Sequence, residues 1–575
     1  MGKPYRDFAQ PKRLIVALIM LALLAACGVT EQPQEDSTYI EAQGLDLNPV
    51  WAVQGCEGTP NDIPSQRHEK GCFGKILQWP DGSYAWNRPG DPTNKAIMPI
   101  HATLLPSGKV LTFGPGDSTY SAVEDPDYAS AHNKNSTDIW DPITNTHTLV
   151  NNTQTELFCA GHAALPDGRT FVAGGHLGKK DGKYLGTTTV NLFDSLTNTW
   201  TLLDTPMYVP RWYPSVTALA NGEMMIIGGI NYGQDFDQIE VWRVEGNTAT
   251  KRLLAVPKLN RAHPQYPWLT VTSSGKVFVS GQENKLGYFD PTGDGRWEDL
   301  GGRGARSRDG MVRNSGTSVM YAKDKFLVAG GSPGDGDTDL PVNSAVVIDL
   351  NQPPGQEVRP ISPMKNPRRH HNATILPDGT VWVNGGTKGP GVNNQALENR
   401  VYESELWNPI TEQWNPTAVA QKFRSYHSTS LLLPDGRVMT GGGGRCDGCN
   451  PQDDNTDVEV YWPPYLFNPD GSLVTQRPEI TRYPTQVRYG QRFSVRVQNA
   501  GDIRKVTWLR LGSVTHSVNF DQRINYLDFS NTFRSTGFLY IKAPENPNLA
   551  PPGFYMLFLV DGKGVPSVGR IIQIR

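Results

Sequence analysis

The stretch "FRSYHSTSLLLPDGRVMTGGGG", residues 423–444, reads as an apolar strand, a tight Pro-Asp-Gly turn, a second apolar strand and a glycine cluster. The same order recurs in "IHATLLPSGKVLTFGPG", "CAGHAALPDGRTFVAGG", "YPSVTALANGEMMIIGG", "YPWLTVTSSGKVFVSGQ", "SGTSVMYAKDKFLVAGG" and "HHNATILPDGTVWVNGG". Across the seven units the marker glycines are Gly114, Gly174, Gly228, Gly281, Gly330, Gly385 and Gly442, spaced 49 to 60 residues apart. Kelch-type repeats have a period of about 50. Several units continue into a further strand and turn, as in "IWDPITNTH" and "LWNPITEQW", which supplies an outer strand for a four-stranded blade. The expected fold is all-β: a seven-bladed kelch-type β-propeller over residues 91–475.

Register carries the reading from fold to site. Fifteen residues before each marker glycine stand Pro99, Cys159, Tyr213, Tyr266, Ser315, His370 and His427. A shared register puts them at one level, near the mouth of a central channel. Cys159 and Tyr213 come from consecutive units, and Tyr426-His427 from the unit that closes the ring beside the first. Tyr266 and His370 read as channel filler with satisfied polar atoms. For Cys159, Tyr213, Tyr426 and His427, soft, phenolic and imidazole groups facing one point suggest a transition metal, and mixed N,O ligation favours Cu(II).

The remaining sequence bounds the function. A chain of 575 residues calls for two or three domains. Its 59 Gly, 45 Pro and 37% apolar residues fit a turn-rich globular protein. With a net charge of −3 there is no electrostatic reason to expect nucleic acid as a partner. From about residue 476, "RPEITRYPTQVRYGQRFSVRVQN" begins a run of short alternating strands with the size of an immunoglobulin-like β-sandwich, about 100 residues. That domain is expected over 476–575.

At the other end, Lys3, Arg6, Lys12 and Arg13 precede "LIVALIMLALLAA", a signal peptide over residues 1–27. Its Leu24-Ala25-Ala26-Cys27 ending resembles the lipobox of bacterial lipoproteins. The expectation is an exported protein held at the outer membrane or cell surface by lipid on Cys27. In the short N-terminal segment, residues 28–90, Cys56 and Cys72 are expected to form a disulfide. Cys446 and Cys449, in "CDGC", read as a local disulfide. That leaves Cys159 unpaired.

The motifs "FCAGHAALPDGR", "RWYPS", "SYHSTSLLLPDGRV" with "GGGGRCDGCN", and "VTHSVNFDQR" resemble the copper radical oxidases, the family of galactose oxidase and glyoxal oxidase. The resemblance runs from about Met98 to the C-terminus. It implies Cu(2+) bound by Tyr213, Tyr426, His427 and His516, with a thioether joining Cys159 to Tyr213 as a protein-derived radical cofactor. His516 must then reach the channel from the C-terminal domain. The implied reaction oxidises a small aldehyde or primary alcohol with O2 and releases H2O2. Tyr426 acts as base and Tyr213, as the radical, removes hydrogen from carbon. The sugar oxidase of the family carries a stacking Trp two residues beyond the third glycine pair. Here Gly228-Gly229 is followed by Ile230, Asn231 and Tyr232, so Tyr232 or an aromatic from another loop is expected to stack on Tyr213. "GGSPGDGDTDLPVN" lacks the sugar-binding residues of that enzyme, and Trp212 in "RWYP" resembles glyoxal-oxidase-type sequences; galactose is therefore not the expected substrate. A monomer acting on a small molecule is expected. The competing reading is a non-catalytic kelch-propeller lipoprotein that binds a glycan or protein partner.

Overall fold

The computed structural model describes residues 38–41, 55–83, 85, 95–116, 134–236, 238–254, 265–282, 286–300, 312–392, 394–445, 453–498, 503–530 and 537–575. The signal segment, Cys27, Cys446 and Cys449 lie outside the described residues. Among the described residues no helix is long and apolar enough to cross a membrane.

Each repeat folds into one antiparallel sheet whose strands follow chain order. In the seventh, Ser428–Leu432 pairs with Val438–Gly442 across the Pro-Asp-Gly turn, and Ser428 lies opposite the marker glycine Gly442. Gly436 closes that turn at φ 90°, a conformation that glycine adopts without the clash a Cβ brings. The third position of the pattern adds the strand Asp457–Trp462.

Hydrogen bonds near the inner strands join each repeat sheet to the next. Thr103 Oγ1 meets His162 Nδ1 at 3.0 Å. The Tyr213 N–H donates to the Cys159 carbonyl at 3.0 Å and the Tyr266 N–H to the Tyr213 carbonyl at 2.9 Å. Ser280 and Ser318 share a hydroxyl contact at 2.8 Å, and the His370 N–H donates to the Ser315 carbonyl at 2.7 Å. Asn372 Nδ2 donates to Ser428 Oγ at 2.9 Å. Finally Thr429 Oγ1 donates at 3.0 Å to the carbonyl of Pro99, at the head of the first sheet. The succession thus returns to its start.

Both chain ends are woven into this arrangement. Cys72–Phe73 and Leu77–Gln78, from the N-terminal segment, pair with Asp457–Trp462 and complete the seventh sheet. The expected Cys56–Cys72 disulfide is present, with Cα atoms 6.0 Å apart. Tyr39–Glu41 pairs instead with Glu479–Pro484 of the C-terminal region. The C-terminal residues build two sheets of their own around Phe493, Trp508, Tyr555 and Leu557. One short strand leaves them: Ser513–Thr515 pairs with His101–Leu104 of the first sheet, placing Thr515 opposite His101.

A second repeat feature was not read from the sequence. Arg211, Arg313, Arg368 and Arg424 are buried. Each donates Nη1 to the carbonyl of its own marker glycine: Gly228, Gly330, Gly385 and Gly442, at 2.6, 3.0, 2.8 and 3.0 Å. Three also pair with acids, Glu240, Glu405 and Asp457. A guanidinium without such partners is costly inside a protein, so these pairs fix the strand ends that carry the register residues. Arginine in a sequence ordinarily signals surface, which hid the pattern.

Candidate metal centre

Six of the seven register positions share a backbone conformation. Cys159, Tyr213, Tyr266, Ser315, His370 and His427 have φ of 66°, 66°, 48°, 56°, 55° and 68°; the seventh is Pro99, whose ring forbids it. A left-handed non-glycine residue costs about 1–3 kcal/mol and persists only where its surroundings enforce it. In the third sheet Trp212 pairs with Ile230 and Pro214 with Gly228, so Tyr213 falls between register pairs. His370 does the same in the sixth. Each faces a glycine, Gly229 or Gly386, in a pair that the ladder skips without a shift of register. His516, at φ 49°, repeats the conformation at the end of the strand from the C-terminal domain.

These residues meet. Tyr213 Oη and Tyr426 Oη are in hydrogen-bond contact, and Tyr213 Oη lies 3.3 Å from His427 Nε2. His516 stands edge-on to Tyr213 and to His427, with ring centroids 4.5 Å away in both cases. His427 Nδ1 lies 2.9 Å from the Gly444 carbonyl, so it carries the proton and leaves the Nε2 lone pair toward the phenols. His516 Nδ1 pairs with Thr515 Oγ1 at 2.6 Å, whereas its Nε2 is buried with no partner. Cys159 is buried and free. Its backbone N–H donates to His101 Nε2 at 3.1 Å, a support from "IHATLL" that sequence reading missed.

Burial sets the protonation. It pushes His427 down to about 3 and His516 well below the usual imidazole range; both are neutral donors at ordinary pH. Burial likewise raises the Tyr213 phenol and the Cys159 thiol well above their usual values. Only a bound cation would make that phenol a phenolate. Among the described residues no group of three or more His, Cys, Asp or Glu is placed to hold a metal. The donors here are two imidazoles and two phenols.

Residues 477–574 match the family model "Galactose oxidase-like, Early set domain". The chain is 32% identical over 520 residues to the galactose oxidase of Gibberella zeae, covering 86% of this chain and 72% of that protein. The chain belongs to the galactose oxidase-like family of copper radical oxidases. It is also 26% identical to aldehyde oxidase GLOX1 of Arabidopsis thaliana, over 84% of this chain and 83% of that one. Among solved structures, a fungal alcohol oxidase in complex with copper superposes with a TM-score of 0.74 at 26% identity, covering 88% of this chain and 100% of the other.

In this oxidase the stacking group differs from the sequence expectation. Tyr232 turns away and its hydroxyl donates to Asp181 Oδ2 at 2.5 Å. Trp212 takes the place, its ring 3.8 Å from that of Tyr213 and inclined by 10°. Tyr184 lies on the outer face of Trp212 at 4.3 Å, and Tyr266 on the other side of Tyr213 at 4.5 Å. A cavity of about 290 Å³ is lined by Tyr213, Tyr426 and His516 together with Tyr266, Gln282 and His370. Tyr266 is satisfied as filler should be, donating its hydroxyl to the Ala160 carbonyl at 3.0 Å. His370 is not: its Nε2 is buried without a partner.

Proposed function

We propose that this oxidase holds Cu(2+) between Tyr213, Tyr426, His427 and His516, carries a thioether between Cys159 and Tyr213, and oxidises small aldehydes or primary alcohols with O2 to acids or aldehydes and H2O2. The observation that carries the reading is the convergence of two phenol oxygens and two neutral imidazoles beside Cys159, the one free, buried thiol among the described residues. The donor set suits a borderline metal. The unpartnered His516 Nε2, otherwise a costly buried polar atom, is accounted for by a bound ion.

Copper, when bound, supplies a one-electron redox change and acidifies the groups it touches. Tyr426, on the cavity wall, takes the hydroxyl proton of the substrate at its Oη. Tyr213, as a radical extended onto the Cys159 sulfur, removes hydrogen from the substrate carbon. Two electrons leave the substrate and O2 accepts them, so RCH2OH + O2 gives RCHO + H2O2. Trp212 and Tyr266 sandwich Tyr213 and keep water from its ring.

The proposed frame is a seven-bladed kelch-type propeller with an immunoglobulin-like sandwich over 476–575. It is supported by the repeat period and by the hydrogen bonds that link each sheet to the next. Export with lipid on Cys27 and a monomeric state belong to the same reading. Metal analysis and peroxide release across a panel of aldehydes and alcohols test it. The reading predicts one copper per chain and peroxide with several small substrates; copper-loaded protein that releases none contradicts it.

A further inference from the structure

Among the described residues, two buried ring nitrogens on the cavity wall lack a partner: His516 Nε2 and His370 Nε2. The first is explained by metal ligation, and the second is not. The His370 ring packs edge-on against Tyr426, with centroids 5.0 Å apart. Its remaining nitrogen is engaged by the backbone of Val392; a ring N–H donated to that carbonyl leaves Nε2 as a bare acceptor. Neighbouring polar groups are already committed. Gln282 donates to the Gln265 and Tyr266 carbonyls at 2.9 and 3.1 Å and accepts the Ser315 N–H at 2.9 Å. Asp335 is paired with Arg369. The cavity therefore offers an unpaired acceptor next to the proposed base.

We infer that His370 is a specificity-determining residue that accepts a hydrogen bond from a second hydroxyl on the substrate, selecting geminal diols, the hydrated form of aldehydes, over simple primary alcohols. This rests on the proposed oxidase reading and deepens it. A geminal diol presents two hydroxyls on the reacting carbon: one gives its proton to Tyr426, the other donates to His370 Nε2. The reaction balances as RCH(OH)2 + O2 giving RCOOH + H2O2, with the C–H hydrogen and one hydroxyl proton leaving the substrate. A primary alcohol has no second donor, and a buried acceptor left unpaired disfavours its binding.

The test compares 2,2,2-trifluoroacetaldehyde hydrate with 2,2,2-trifluoroethanol on the copper-loaded full-length protein. With the Tyr213 radical first quenched by a mild one-electron reductant and O2 excluded, paramagnetic broadening of the 19F signal by Cu(2+) reports binding near the site without turnover. The hydrate is expected to bind about tenfold more tightly than the alcohol, the size of one buried hydrogen bond. His370→Phe should remove that preference and His370→Gln, which keeps an acceptor, should restore part of it, with copper content unchanged in both. Equal binding of the two probes by the unmodified protein overturns the inference. So does a preference that survives His370→Phe, or loss of copper from that variant, which would make His370 a ligand. If the preference behaves as expected while no peroxide is formed from any substrate, His370 stands and the oxidase reading fails.

Discussion

The indole of Trp212 lies on the ring of Tyr213, with centroids 3.8 Å apart and planes 10° from parallel. Adjacent residues in a regular strand point to opposite faces and cannot stack in this way. Left-handed φ at Tyr213 turns the chain so that they do. One backbone angle thus places the proposed radical and its cover together.

Trp212→Phe should keep the fold and the copper while weakening the cover. Aromatic stacking contributes about 0.5–1.5 kcal/mol beyond area burial, so a several-fold to tenfold drop in kcat/KM is expected, with faster decay of the radical absorption band. An unchanged radical lifetime would show that Tyr213 does not depend on this ring.

The metal assignment predicts that His427→Ala and His516→Ala each lose most of their copper, since each removes one of four donors. Both variants should still melt cooperatively. Full copper occupancy in either, by metal analysis, contradicts the site.

Acid should destabilise the metal-free protein through its buried imidazoles. His162, His371 and His427 are each pushed down to about 3 by burial, below the unfolded value of about 6.5. Between these values the unfolded chain binds protons that the folded chain refuses. Stability is therefore complete above pH about 6.5 and falls toward pH about 3, at a rate near 1.4 kcal/mol per pH unit for each such group. Urea midpoints measured from pH 7 to pH 4 should decline accordingly, and His371→Gln should make the decline shallower. An identical slope in that variant would remove His371 from the account.

Much of the repeat is legible in the sequence. The fifteen-residue offset from the marker glycines picked out six positions that share a left-handed φ, because a repeat copies its backbone as well as its apolar pattern. The supports were hidden. Arg211, Arg368 and Arg424 belong to a residue type that ordinarily lies at the surface, yet they bind the marker glycine carbonyls from inside. His101 and Tyr184 sit in unremarkable strands and reach the site only through tertiary contacts. The pairing of Ser513–Thr515 with the first sheet is a contact across more than four hundred residues, which strand alternation alone does not encode. His370 reads as filler beside Tyr266, yet its Nε2 has no partner whereas the Tyr266 hydroxyl is bonded.

The lipobox reading predicts that Cys27→Ser moves the protein from the membrane fraction to the soluble fraction and changes its processed size. Unaltered fractionation and size would show that Cys27 carries no lipid.

The central claim is that Cys159 and Tyr213 become one redox cofactor. Forming a thioether removes two hydrogens, so aerobically matured, copper-loaded protein should be about 2 Da lighter than the mass left after its disulfides are counted. A cross-linked peptide pair containing Cys159 and Tyr213 should survive thiol reduction, which opens disulfides but not thioethers. Intact and peptide mass spectrometry of fully active, reduced enzyme measures this directly. The account predicts the linked pair and no alkylatable Cys159; a free, alkylated Cys159 recovered from fully active enzyme contradicts it.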